Sequence, residues 1–418
     1  MFKPDAARFL ALIFVIALLL GRGLLALLLG LVLLAVVVAR QWSQVALRRF
    51  TYTRTFTPAR GFVGDEVELC LQLRNAKLLG VPGLRVQDTI PTRLGIHGAK
   101  LVPSTQTGSQ LLERRTSLRA YEAVSWRLAV QCRERGYFVV GPVRIEATDP
   151  WGLHPTETEL PGRTALVVYP KLLPLEELQL DPRHPLGDLR AQRRLLTDPS
   201  RTVGIRDYQR GDPFKAIHWG ATARRGQMQT RVYEPTTSLE VAIALDLDTF
   251  EQYWEGIQPE LVERMISVAA TVATAASNTR RSFGLYANAV AADSDQFVRL
   301  APSRNPAQLP LVLETLAKLV PYSIAPMPQL LRRLGPMLPW GTTVLVISAV
   351  PSLAMQQTLL RLAERGRHVL WLFCGSEQSP RVPGVEVRRV SPDASWSEPG
   401  VSRLQATRDH ARHVRQVQ

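Results

Sequence analysis

Leu239-Glu240-Val241-Ala242-Ile243-Ala244-Leu245-Asp246 is a near-continuous apolar run that stops at a carboxylate. A strand buried on both faces reads this way, because helices laid over a parallel sheet leave neither face to water. The stretch that follows alternates in type. Residues 259–280 place Leu261, Met265, Val268 and Val272 on one helical face. Phe283–Ala287 reads as the next strand, 306–319 and 327–337 as helices, Val344–Ser348 as a strand and 352–365 as a helix. His368–Phe373 and Val385–Val390 read as the last strands. Such alternation predicts an α/β domain over 239–391, with a mostly parallel sheet between helices. Sheets of this kind hold ligands beyond the carboxyl ends of their strands. That rule points to Asp246-Leu247-Asp248-Thr249-Phe250.

Immediately upstream, within a connector over 171–238, lies the densest chemistry in the chain. Gly204-Ile205-Arg206-Asp207-Tyr208-Gln209-Arg210-Gly211-Asp212-Pro213-Phe214-Lys215-Ala216-Ile217-His218-Trp219 is followed by Ala223-Arg224-Arg225-Gly226 and a strand-like Gln229–Glu234. Gly211-Asp212-Pro213 is a turn signal. It also suits a helix start, with Asp212 as N-cap and Pro213 at the first helical position. A one-turn helix from there projects Phe214, Ile217 and His218 to one side. Three roles are open to His218: a general base oriented by Asp207 or Asp212, a stacking group for nucleic acid beside Trp219, or a structural group. In the structural reading Arg206 and Arg224 pair with Asp212 or Glu234. No Ser or Cys nucleophile on a recognisable elbow accompanies the histidine. Aromatics do not recur between basic residues elsewhere in the chain.

The run from Gly204 to Glu234, with Arg135-Gly136-Tyr137 and Asp149-Pro150-Trp151-Gly152-Leu153, resembles the bacterial domain-of-unknown-function 58 family. Its motif, R-x-Y-x-x-G-D-x-x-x-x-I-H-W-x-x-x-A-R, falls here on Arg206, Tyr208, Gly211, Asp212, Ile217, His218, Trp219, Ala223 and Arg224. The resemblance implies a membrane hairpin, a β-domain and a C-terminal domain similar to von Willebrand factor type A. It further implies association with MoxR-type AAA+ ATPases and with transglutaminase-like membrane proteins. No activity comes with the family. Von Willebrand type A domains often carry Asp-x-Ser-x-Ser at the end of the first strand, binding Mg²⁺ through oxygen ligands. This chain keeps Asp246, has Asp248 for the first Ser and Phe250 for the last, and has Ser348-Ala349 where a later Asp often stands. Asp246 and Asp248, with Thr249, remain the candidate ligands of a hydrated Mg²⁺; the alternative is that the two carboxylates only bond loop amides.

Over 50–170 the period changes to two. Val67–Leu73, Ser125–Val130 and Leu166–Tyr169 alternate or run apolar between turn residues such as Pro58, Gly64, Pro82-Gly83 and Gly141-Pro142. Short strands at this spacing predict an antiparallel, immunoglobulin-like β-sandwich.

The N-terminal 49 residues read as a membrane anchor. Phe9–Ala39 holds one charge, Arg22, between Gly21 and Gly23. A spanning helix needs about 20 apolar residues, so two arrangements fit: a hairpin of 9–20 and 24–39, or one tilted helix. The hairpin is the economical reading, since Gly-Arg-Gly is a turn signal. Lys3, Arg8, Arg40, Arg48 and Arg49 flank the run, and by the positive-inside rule both ends face the cytoplasm of an inner membrane.

The chain carries a net charge of +15, nearly all from arginine, since only six residues are lysine. Such charge attracts anionic headgroups and, in principle, nucleic acid. Apolar residues at 46% exclude a largely disordered chain. Cys70, Cys132 and Cys374 lie far apart, which excludes zinc sites of the usual spacing; they read as small buried hydrophobes. Residues 392–418 read as a solvated tail. The functional expectation is a membrane-tethered scaffold or adaptor, not an enzyme, partnered by an AAA+ ATPase, with no confident cofactor. A His218-centred hydrolase and a nucleic-acid binder are the alternatives.

Overall fold

A computed structural model describes residues 4–149, 155–180, 197–235, 240–339, 342–376 and 378–390. Pro150–Leu153, much of the connector and the tail at 392–418 lie outside the described residues. The chain divides into two compact units, one ending at Tyr169 and the other beginning at Pro170.

The first unit opens with α1 (Pro4–Leu19) and α2 (Gly23–Ala46). The apolar run is therefore broken into two helices by Leu20-Gly21-Arg22, with Gly21 at φ +67 where a side chain is disfavoured. Gly30 lets the helices approach: a methyl there would sit 3.2 Å from the Phe14 ring. Of the two, only α2 is long and apolar enough to cross a bilayer among the described residues. It differs from the expected 24–39 at its far end, running seven residues past Ala39 into the folded unit. There Ala46 is fully buried, and Trp42 and Leu47 pack on the cluster of Val81, Leu84, Leu118, Val143 and Ile145.

Among the described residues twelve strands follow: β1 (Phe50–Thr57), β2 (Arg60–Phe62), β3 (Glu66–Asn75), β4 (Val81–Pro91), β5 (Gly95–Ile96), β6 (Leu101–Pro103), β7 (Ser109–Leu118), β8 (Ala123–Gln131), β9 (Gly136–Val140), β10 (Val143–Thr148), β11 (Thr156–Leu160) and β12 (Thr164–Tyr169). They form sheets ordered β1-β3-β8-β5, β11-β10-β4-β7-β6 and β2-β12-β9. The inward positions alternate, as in β3, where Val67, Leu69, Leu71 and Leu73 are buried. One core joins residues from all three sheets, among them Leu69, Ile90, Leu128, Phe138 and Leu166. A buried ion pair ties β1 to β4: Arg54 Nε donates to Asp88 Oδ2 at 2.6 Å, and the Tyr52 hydroxyl donates to the same oxygen at 2.9 Å. Burial raises the Asp88 carboxyl even against the pull of Arg54.

The second unit contains a two-stranded hairpin and a six-stranded sheet. The hairpin pairs β13 (Thr197–Asp207) with β14 (Gln229–Pro235), enclosing the short helix α3 (Trp219–Arg225). The sheet comprises β15 (Glu240–Leu245), β16 (Ser282–Val290), β17 (Phe297–Ser303), β18 (Thr343–Ser348), β19 (His368–Phe373) and β20 (Glu386–Arg389). Between them lie α4 (Pro259–Asn278), α5 (Gln308–Lys318), α6 (Met327–Leu334) and α7 (Leu353–Glu364). The order is β17-β16-β15-β18-β19-β20, parallel except for the antiparallel β16–β17 pair. Strand β17 is absent from the sequence reading: its Phe297-Val298-Arg299-Leu300-Ala301-Pro302-Ser303 carries an edge proline and no continuous apolar run. Cys132 and Cys374 are buried and Cys70 is half-buried; burial pushes the Cys374 thiol up to about 12.

Candidate functional site

The central strands β15 and β18 lie side by side, and their connections leave in opposite directions, toward β16 and toward β19. Such a reversal opens a crevice at the carboxyl ends. The Asp246 N–H donates to the Ile347 carbonyl at 2.9 Å and closes the floor of that crevice. Above it lies a cleft of about 560 Å³ lined by Asp246, Asp248, Phe250, Glu251, Ser323, Ile324, Pro326 and Val350.

Asp246 is buried and Asp248 half-buried. The residue that organises them is Asn288, at the end of β16. Its Oδ1 accepts from the Leu247 N–H at 2.9 Å, and a backbone N–H can only donate. This fixes the amide orientation and turns Nδ2 toward the carboxylates, 2.7 Å from Asp246 Oδ1 and 3.4 Å from Asp248 Oδ2. Asp246 Oδ1 also accepts from the Asp248 N–H at 3.2 Å. The Ser323 hydroxyl donates to Asp248 Oδ1, and the Ile324 N–H donates to the Asn288 carbonyl at 2.8 Å. Loss of hydration raises the Asp246 carboxyl well above the usual carboxylate range, and the adjacent Asp248 adds to the rise.

These donors do not fit Mg²⁺. The ion needs oxygen ligands in near-octahedral array, whereas here an amide N–H group stands between the two carboxylates. Thr249, the third candidate ligand, turns its hydroxyl to accept from the Gln258 N–H at 3.1 Å. The Ser348 hydroxyl accepts from Trp371 Nε1 at 2.8 Å, inside the core. Among the described residues no group of three His, Cys, Asp or Glu side chains converges. Asn288 and Ser323 escaped the sequence reading. The available signal was one: Asn288 interrupts the otherwise apolar Phe283–Val290 strand.

The family motif builds the hairpin. Arg206 grips Asp212 with both guanidinium ends, at 2.8 and 2.7 Å. The Gln209 N–H donates to the same carboxylate at 2.9 Å, and the Arg206 bond holds the Asp212 carboxyl below its usual range. Gly211 sits at φ +111 in this turn. Asp212 is thus not the expected N-cap: the following turn, Phe214–Ala216, is a 3₁₀ helix with no side-chain cap. The expected shared face is also split, since Ile217 is buried and Phe214 is exposed. His218 is instead the N-cap of α3, its Nδ1 accepting from the Ala221 N–H at 3.1 Å. Neither expected carboxylate orients it, because Asp212 holds Arg206 and Asp207 accepts from Gln229 Nε2 at 2.6 Å. Arg224 lies in the last turn of α3, where its charge suits the helix end. Tyr208 leans on Phe214, ring centroids 6.3 Å apart. Trp219 is 66% exposed and Phe214 71%. Arg206, Arg210, Lys215, Arg224 and Arg225 are exposed beside them.

Residues 204–393 match the family described as "Protein of unknown function DUF58", which supports that family for this region. The "Uncharacterized protein YeaD" of Bacillus subtilis (strain 168) is 38% identical over 56 residues, 13% of this chain and 14% of that protein. The chain thus matches about one-seventh of the length of this curated relative. Among solved structures, the CARDB domain of the PF1109 protein from Pyrococcus furiosus is 16% identical, covering 28% of this chain and 91% of that one, at a TM-score of 0.19. The major pilin SpaD from Corynebacterium diphtheriae is 10% identical, covering 28% and 34%, at 0.21. Scores this low define no shared fold.

Proposed function

With residues 204–393 matching DUF58, we propose that this chain is a membrane-tethered protein-interaction scaffold whose C-terminal unit is von Willebrand factor type A-like. In this reading α1 and α2 form an inner-membrane hairpin, the β-rich unit is an immunoglobulin-like sandwich, and both units face the cytoplasm. The partner is a MoxR-type AAA+ ATPase, with a transglutaminase-like membrane protein as a further associate; both follow from the family resemblance. The type A-like assignment is supported by the strand order, by the antiparallel edge at β17 and by the carboxylate loop at the switch point.

One observation supports the scaffold reading: the strand-end cleft at the switch point presents carboxylates and apolar groups to a partner. Its carboxylates are tied down by Asn288 and Ser323, and its walls include the exposed Ile324 and Pro326. The hairpin offers a second contact surface, since its motif residues bond one another and leave Trp219, Phe214 and the arginines outward. Tryptophan and arginine are the residues that most often anchor protein interfaces. The His218 enzyme and the nucleic-acid binder remain the alternative readings; the bond that caps α3 through Nδ1 speaks against the first.

The test is co-purification of the tagged full chain with the ATPase. Phe250→Ala with Glu251→Ala, both on the cleft wall, should cut recovery by roughly ten-fold, the effect of losing about 1.4 kcal/mol. Trp219→Ala should do likewise. Undiminished recovery in all of these variants would reject both surfaces.

A further inference from the structure

The exit of α2 from its apolar segment is embraced by two loops of the β-rich unit. Lys77 Nζ donates to the Ala46 carbonyl and, at 3.1 Å, to the Arg48 carbonyl, while resting 4.1 Å from the Phe50 ring centroid. The Ala76 N–H donates to the Arg49 carbonyl at 3.1 Å. The second loop is bound to the first: the Tyr121 N–H donates to the Lys77 carbonyl at 3.1 Å, and Asn75 Nδ2 donates to the Arg119 carbonyl at 2.8 Å. Each loop then leaves a large apolar side chain in water, Leu78 at 77% and Tyr121 at 65% exposure. Around the same helix end stand exposed Arg40, Arg48, Arg49 and Arg119. Arg74, also exposed, is paired across the sheet with Thr51, just after the helix. The carboxylate beside them, Glu122, is taken by the Arg119 N–H at 2.6 Å.

We propose that these two loops form a lipid-headgroup contact: Leu78 and Tyr121 enter the interfacial layer, and the surrounding arginines bind anionic headgroups. The inference rests on the membrane reading of α1 and α2. The helix itself supplies the occupant, because its rise fixes how far the loops stand from the hydrocarbon. From Ala39 to Ala46 the chain climbs about 10 Å at 1.5 Å per residue, close to the roughly 5–8 Å of headgroup layer on each side of a bilayer. Tyrosine settles at this depth because its ring is apolar and its hydroxyl is wet. Each arginine near an anionic surface adds favourable energy that falls away within a Debye length.

The experiment uses the full chain in nanodiscs of phosphatidylcholine and phosphatidylglycerol, on a Cys70→Ser background that leaves Cys132 and Cys374 buried. A fluorophore is placed at Ala120→Cys beside Tyr121, at Leu31→Cys within α2, or at Thr107→Cys on the loop before β7. Strand β4 runs 11 residues from Val81, near the helix end, to Pro91, near that last loop, so the control stands roughly 30 Å from the proposed contact. A headgroup spin label should quench Ala120→Cys at least about two-fold more than Thr107→Cys, and the difference should shrink when phosphatidylcholine replaces the anionic lipid. Equal quenching at the two sites, with Leu31→Cys quenched by an acyl-chain label, would overturn the headgroup contact and leave the membrane span standing. An unquenched Leu31→Cys would overturn the span itself. A difference untouched by lipid charge would remove the arginines from the proposal.

Discussion

Asn288 shows how one amide decides what a pair of carboxylates does. Placed between Asp246 and Asp248, it supplies hydrogen-bond donation where a cation would otherwise supply charge, and Asp246 keeps its proton far longer than a solvated carboxyl. The direction of the resulting pH dependence follows. In the folded chain Asp246 binds a proton that the unfolded chain has already released near pH 4. Its contribution to stability is therefore full below that pH and is lost as pH rises through the raised folded value. Asp246→Asn, which keeps an acceptor toward Asn288, should raise the denaturation midpoint at pH 7 and flatten this limb of the pH profile. Asn288→Ala leaves the Leu247 N–H without its acceptor and should cost about 1–3 kcal/mol. Chemical denaturation across pH 4–8 checks both; an Asp246→Asn variant less stable than the parent at pH 7 would contradict the assignment. Neither Asn288 as a partner of Asp246 nor Ser323 as a partner of Asp248 was legible in the sequence. They lie 42 and 75 positions from those carboxylates, and only the fold brings them near.

At the scale of elements, legibility followed periodicity. Strand β15, fully apolar from Val241 to Leu245, and helix α4, whose Met265, Val268 and Val272 are buried while Leu261 is half-buried, announce themselves because packing against other layers imposes the pattern. Strand β17 does not, being half-solvated and interrupted by Pro302. The turn at Gly211 shows a different limit. Asp212 has the chemistry of an N-cap, yet its carboxylate is held by a bidentate arginine and the Gln209 amide, the Phe214–Ala216 turn has no side-chain cap, and His218 caps α3 instead. A less visible constraint sits at Gly284, where β16 meets the irregular register of β17. A methyl group there would fall 2.7 Å from the Pro302 nitrogen, with the Leu300 carbonyl closer still. Gly284→Ala must push the two backbones apart and should cost about 1–3 kcal/mol. Thermal unfolding of the purified variant measures it, and a shift near zero would show that β17 yields freely at this edge.

At the scale of the whole molecule, the apolar helix α2 is not a detachable tag. The last turn of α2 is part of the core of the β-rich unit, so a cut placed by hydropathy alone, after Ala39, has a different outcome from one placed after Arg49. A fragment from Arg40 to Tyr169 keeps Trp42, Ala46 and Leu47 on their cluster, whereas a fragment from Phe50 exposes it. The shorter fragment should be less stable by about 2–4 kcal/mol, the worth of burying one or two large apolar side chains. Urea denaturation of the pair measures the difference; equal midpoints would show that the helix end adds nothing. Lys77 acts at the same junction. Burial lowers its ammonium to about 8, so the folded unit sheds that proton before the unfolded chain does. Stability from this group therefore rises between about pH 8 and its ordinary value near 10.4.

The unbroken passage from α2 into the sheet also has a mechanical meaning. A helix of 24 residues is a rod of about 36 Å. A rod gripped at one end by Lys77 cannot swivel there independently of the strands it joins. In a bilayer, a ten-degree change of its tilt sweeps the gripped end sideways by roughly 6 Å over that length. Thinning or thickening of the lipid would therefore reach the β-rich unit as rotation, where a flexible linker would have absorbed it.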